Sequence, residues 1–118
     1  MKQDRKSIEM ALVERIIAGD QSAAKEIEIH YRDIIHYKVQ QILDDEAECE
    51  KVLSIVFSDV WEGREVIEQF YHDPDISFDL QWLMVADAET LAREISDTKK
   101  LQLLKDDLHN MLKLFIKN

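Results

Sequence analysis

The sequence predicts an all-α fold, and three observations predict it. The chain holds only two glycines, Gly19 and Gly63, and one proline, Pro74; strands joined by hairpins need more turn residues than that. Apolar residues recur at i, i+3, i+4 and i+7 through most of the chain, the period of a helix buried on one side. Capping residues stand ahead of each periodic stretch. Together these describe a bundle of four to five helices with an added C-terminal helix.

The elements follow in order. Ser7 is the expected N-cap of a first helix whose apolar face is Ile8, Ala11, Leu12 and Ile16. Gly19 ends it, at the site where a left-handed C-terminal residue belongs. Asp20 caps a second helix running to about Leu43, with Ala23, Ala24, Ile27, Tyr31, Ile34, Ile35, Val39 and Ile42 on one stripe. Asp44-Asp45-Glu46 is a turn that opens a third helix with negative charge at its positive end. That helix carries Cys49, Val52, Leu53, Val56, Phe57, Val60 and Trp61, a pattern dense enough to place it in the core. Gly63 interrupts it before Val66, Ile67 and Phe70. Tyr71-His72-Asp73-Pro74-Asp75 reads as a loop, because Pro74 disfavours helix at Asp73. Ser77 or Asp79 caps a fourth long helix with Leu80, Leu83, Met84, Ala88, Leu91 and Ile95. Asp97 or Thr98 then caps a last helix with Leu101, Leu104, Leu108, Met111 and Phe115, spaced alternately by three and four. The division expected is a domain over 1–97 and a C-terminal helix over 98–118 that either packs on it or forms a dimer contact.

The length of 118 residues fits one domain able to bury a core without metals or disulfides. The formal net charge of −10 opposes nonspecific attraction to nucleic acid and to anionic membranes. A single cysteine, Cys49, excludes an internal disulfide and suits a reducing compartment, so the expected location is cytoplasmic. The charged start shows no secretory signal, and no apolar run approaches a membrane span. No Gly-rich phosphate loop occurs, and no His, Ser and Asp spacing selects a catalytic triad. Cys49 sits among acids, which oppose thiolate formation. The chain is therefore expected not to be an enzyme. Glu26, His30 and Asp33 share one helical face, but no second Glu-x-x-His pair completes a helical metal site. No cofactor and no metal is expected.

Three segments, in order, carry a family resemblance. Leu12-Val13-Glu14-Arg15-Ile16-Ile17-Ala18-Gly19-Asp20-Gln21-Ser22-Ala23-Ala24 is followed by Tyr31-Arg32; Val56-Phe57-Ser58-Asp59-Val60-Trp61 comes next; Ser77-Phe78 leads to Trp82-Leu83. Their order and spacing resemble region 2 of the bacterial sigma factors, in particular the extracytoplasmic-function group. The resemblance implies a helical scaffold that grips the clamp helices of RNA polymerase and captures melted promoter bases. It implies a polymerase-facing third helix with Glu48, Lys51, Val52, Ser54, Ile55 and Asp59, and a nucleic-acid- or partner-facing loop and helix with Tyr71, His72, Asp79, Gln81 and Arg93.

Departures from the family pattern shape the expected function. Lys51-Val52-Leu53-Ser54-Ile55 stands where the family carries an Asp-Leu-Val-Gln-Glu-like stretch. Residues 75–97 hold six acids and one base, Arg93, a balance that repels phosphates. The 21 residues after position 97 are too few for the family's second DNA-reading domain. The expectation is a sigma-like protein acting in transcription initiation or its regulation by binding the RNA polymerase core, with weakened or absent promoter contact. Its rivals are a mimic that occupies an anti-sigma factor or other basic partner, and an unrelated helical oligomerisation module. Phe57, Trp61, Phe78 and Trp82 are expected in the core. The C-terminal helix, with Leu103, Leu112, Leu114 and Ile116 beside its main stripe, completes the core or supports a homodimer.

Overall fold

A computed structural model describes residues 4–116 and is helical throughout, with five helices and no strand among the described residues. They are α1 (Arg5–Ile17), α2 (Gln21–Gln40), α3 (Glu46–Glu62), α4 (Arg64–His72) and α5 (Leu80–Ile116). The all-α class read from periodicity holds. α2 packs on α1, α3 and α5, and α3 packs also on α5, so α2 and α3 form the centre. α4 crosses beneath α1 and α3.

The core is the sum of the apolar stripes. Ile27, Tyr31, Ile35 and Val39 of α2 meet Cys49, Val52, Leu53 and Val56 of α3, and all eight are almost fully buried. On α5 the buried seam is Leu80, Met84, Ala88 and Ala92, spaced by four. The two alanines bring the α5 backbone close to its neighbours, because nothing longer than a methyl group stands between them.

Helix ends follow local chemistry. The first helix starts earlier than its expected cap: Asp4, not Ser7, has extended backbone, and its carboxylate accepts the Ser7 N–H at 2.8 Å. Two candidate caps three residues apart compete, and the earlier one adds a turn of backbone hydrogen bonds. Gly19 has φ of 84°, as its place after α1 requires. Asp20 and Asp45 cap α2 and α3 through the backbone N–H groups of Ser22 and Glu48. Gly63 separates α3 from α4; a methyl group there would lie 2.8 Å from the Asp59 carbonyl oxygen, so only glycine fits the junction. Asp73 is extended, as the following proline demands. At α5, Asp79 rather than Ser77 accepts the Trp82 N–H, at 3.0 Å.

Two boundaries differ from expectation. Tyr71 and His72 belong to the last turn of α4, not to the loop. The break expected at Asp97 or Thr98 does not exist: α5 runs unbroken for 37 residues. A cap residue ends a helix only where the backbone turns away. No glycine or proline follows Pro74, so nothing makes the chain turn. The Lys99 ammonium also reaches back to the Glu48 carboxylate at 2.7 Å, holding the next turn in line with α3.

The consequence is a long, asymmetric molecule. Its extents are 77 × 27 × 24 Å and its radius of gyration is 19.7 Å, against about 13 Å for a compact chain of this length. Every residue from Asp97 to Ile116 is exposed. The C-terminal segment therefore does not pack on its own domain, which removes that half of the expectation for 98–118; Lys117 and Asn118 lie outside the described residues. No helix among the described residues is long and apolar enough to cross a membrane.

One buried polar group ties three helices together. Glu9 is 6% exposed on α1. Its Oε1 accepts from the Tyr31 hydroxyl of α2 (3.2 Å) and from the Gln81 N–H at the start of α5 (3.1 Å), while Oε2 accepts from Lys6 (3.3 Å). Burial, then the nearby Glu9 charge, push the Tyr31 phenol well above its usual range, so it remains a donor.

Candidate functional site

The third helix presents a solvent face and a buried face, and the expected partner-binding residues divide between them. The face opposite the core seam carries Ala47, Lys51, Ser54 and Ser58, all exposed. Lys51 and Ser54 are thus available as expected. Val52 is not: it is fully buried in the core and cannot touch a partner. It sits one residue, about 100°, round the helix from Lys51, which takes it off the open face and into the seam. Ile55 is half-buried at the edge. Glu48 is held by Lys99 of α5, and Asp59, though exposed, reaches Asp87 of α5.

Beside the open face lies a groove of about 430 Å³ between α2 and α3, lined by Lys25, Glu28, Arg32, Glu50, Ser54 and Phe57. Arg32 donates both to Glu50 Oε1 and to Oε2 across it. Each partner favours the other's charged form: Glu50 raises the guanidinium, and Arg32 holds the carboxyl below its usual range. The groove's lining is mostly polar, with Phe57 and Ala24 among it, a mix suited to a helix or loop that brings both charge and an apolar anchor. Next to it, His36 Nε2 and Glu46 Oε1 lie 2.7 Å apart, with Glu50 close by. The Arg32 cation already engages Glu50 there. Glu26, considered above with His30 and Asp33, is paired with Arg15.

A second surface forms where α4, the 73–79 segment and the start of α5 meet. Phe70, Ile76, Phe78, Trp82 and Leu83 line a cleft of about 210 Å³. Trp82 is 69% exposed beside it, which corrects the expectation that this tryptophan is core. Phe57, Trp61 and Phe78 do pack on the core, each partly buried. The reason is register: the buried seam of α5 is Leu80, Met84, Ala88, Ala92, and position 82 lies about 160° from position 80 on a helix. Trp82 was already missing from the apolar stripe in the sequence, and that omission was the signal of its exposure. Asp79 lines the cleft, and Asp73 and Asp75 stand in the segment that leads to it.

The remaining loop and helix candidates are mostly engaged. The Tyr71 hydroxyl donates to Glu14 Oε1 at 2.9 Å, and its ring stands edge-on to Phe78, 5.8 Å between centroids. Tyr71 is thus held between α1 and the segment before α5 and is half-buried. Burial, then the Glu14 hydrogen bond, raise its phenol. His72 is exposed. Asp79 caps α5, and Gln81 gives its backbone N–H to Glu9. Arg93 pairs with Glu89 at 3.2 Å; it shares a side of α5 with Trp82 but lies three turns, about 16 Å, further along.

The sequence reading did not find Asp87. It faces Asp59 across the α3–α5 contact, at the mouth of an apolar groove of about 410 Å³ with Val60, Gly63, Ile67, Leu83 and Met84. Burial first, then the hydrogen bond and charge of Asp59, push the Asp87 carboxyl up to about 7. The pair shares a proton below that pH. The sign follows: the folded state binds the proton more tightly than the unfolded chain. This stabilisation is complete below about pH 4 and is lost as pH rises to about 7. Full conversion of the shift gives about 4 kcal/mol, and solvent screening of this half-buried group reduces that to about 1–2 kcal/mol. Asp87→Asn is expected to raise stability at pH 8 by that amount and to flatten the pH dependence between 4 and 7, read by urea denaturation across pH. An unchanged pH profile would remove the shared proton from the account.

Cys49 is 1% exposed, and burial, then the Glu46 charge, raise its thiol, which leaves it a core side chain rather than a nucleophile. Comparison of the chain with protein-family models, with curated proteins and with solved structures finds no match. The functional reading rests on the residues themselves.

Proposed function

We propose that the chain acts by binding, not catalysis, as a sigma region 2-like protein that docks on the RNA polymerase core through the open face of α3, with little or no promoter contact. The observation that carries this reading is the exposed pair Lys51 and Ser54, two of the positions the family resemblance assigns to polymerase contact, with exposed Ser58 in line with them beside the Arg32–Glu50 groove. The acidic segment from Asp73 to Asp97 repels DNA phosphates, which is why promoter reading is left to another subunit.

A second reading is favoured by a different observation. Trp82 stands exposed beside Asp79 on an acid-rich segment, and tryptophan at an apolar cleft is a frequent centre of protein interfaces. That surface fits a basic partner such as an anti-sigma-like protein, with fast, salt-sensitive association. One experiment separates the two. Immobilised full-length chain is challenged with purified core RNA polymerase at low and high salt. On the first reading the Lys51→Glu/Ser54→Arg double variant loses retention by about tenfold or more while Trp82→Ala leaves it unchanged. No retention of core enzyme at low salt would sink the polymerase reading. Recovery of a basic protein that Trp82→Ala abolishes and salt weakens would support the second.

A further inference from the structure

The C-terminal half of α5 is a free helix with an apolar face, and its own domain cannot cover that face. Lys99 marks the side of α5 that turns to the domain, through its ion pair with Glu48. At about 100° per residue, Leu101, Leu104, Leu108, Met111 and Phe115 lie about 120–200° round the helix from it. They point away from α2 and α3.

We infer that two copies of the chain pair through this stripe to form a homodimer, helix against helix. Four features select a second copy. The spacing by three and four averages 3.5 residues, the repeat that keeps a seam between two helices in contact along its length. The face is free of its own domain, so both domains sit on the outer sides and do not collide. The five side chains with Leu112 at their edge are each 50–78% exposed. Together they present on the order of 700 Å², close to the roughly 800 Å² that one partner contributes to a standard interface. The fourth feature is charge. The flanks carry both signs, with Lys100 and Asp107 on one side of the stripe and Lys105 on the other, and all but two of the 25 acids lie before residue 98. An anionic membrane would repel the domain and gain little from so mixed a flank. Pairing would also support the projecting helix, since most helical stability in proteins comes from packing an apolar face rather than from propensity.

The stripe is about two heptads long, so association is expected in the micromolar range. Sedimentation of the full chain from about 1 to about 300 μM should show a monomer converting to a dimer. Leu104→Glu/Leu108→Glu should weaken association by about 100-fold or more, and Asn110→Glu, on the far side of the helix, should leave it unchanged. Neither site touches the core, so thermal unfolding of the domain serves as the folding control. A monomer at every concentration overturns the inference. So does a dimer that survives the double variant, or co-flotation with phosphatidylserine vesicles by a chain that stays monomeric. The inference stands apart from the polymerase reading, because its assay contains no polymerase.

Discussion

Val52→Asp is expected to unfold the domain or to cost at least about 4 kcal/mol, the largest single effect of any substitution on α3. Val52 is fully buried in the core of α3, and a carboxylate there would be taken out of water among apolar side chains. The residue before it behaves oppositely: Lys51→Glu changes stability by less than about 0.5 kcal/mol, because Lys51 is exposed. Urea denaturation followed by circular dichroism reads both. The contrast has functional weight. It separates the part of the Lys51–Ile55 stretch that can meet a partner from the part that holds the bundle together. A tolerated Val52→Asp would mean that α3 is rotated from its described orientation, and the open face would have to be reassigned.

Glu9→Ala is the second large effect, with an expected loss of about 2–3 kcal/mol. The substitution strands the Tyr31 hydroxyl and the Gln81 N–H, each costing about 1–3 kcal/mol when buried without a partner. Relief of the buried carboxylate's own desolvation offsets part of this. Glu9→Gln retains an acceptor and should cost about 1 kcal/mol. Adding Tyr31→Phe to Glu9→Ala should recover part of the loss, since it removes one stranded group; strict additivity of the two substitutions would show that the hydrogen bond contributes nothing. The start of α5 depends on this carboxylate, so the variant should also loosen the Trp82 surface, measurable as faster amide exchange across residues 80–84.

The Asp87 result bears on the same contact from the other side. A carboxyl pair at the α3–α5 junction makes that junction weakest at alkaline pH, whereas the Glu9 knot holds the first turn of α5, less than two turns away.

What the sequence by itself determined is local. The helical class, the stop at Gly19, the break at Gly63, the Asp20 and Asp45 starts and the buried seams of α2 and α3 follow from side-chain period and backbone chemistry. Those forces act within one or two turns and are written in consecutive residues. The tertiary structure decided everything that depends on which neighbour arrives. Asp97 and Thr98 resemble helix starts, yet α5 passes through them because no breaker turns the chain and Lys99 finds Glu48 across the gap. Val52 stood on the core stripe by its period and on the partner face by the family resemblance, and it lies in the core; Trp82 passed from the core to the surface, because a helix has two sides and its packing says which is dry. Glu9 with Tyr31 and Gln81, Asp59 with Asp87, and Arg32 with Glu50 are pairs drawn from distant positions. Their energies arise from proximity in space, for which one-dimensional spacing carries no record.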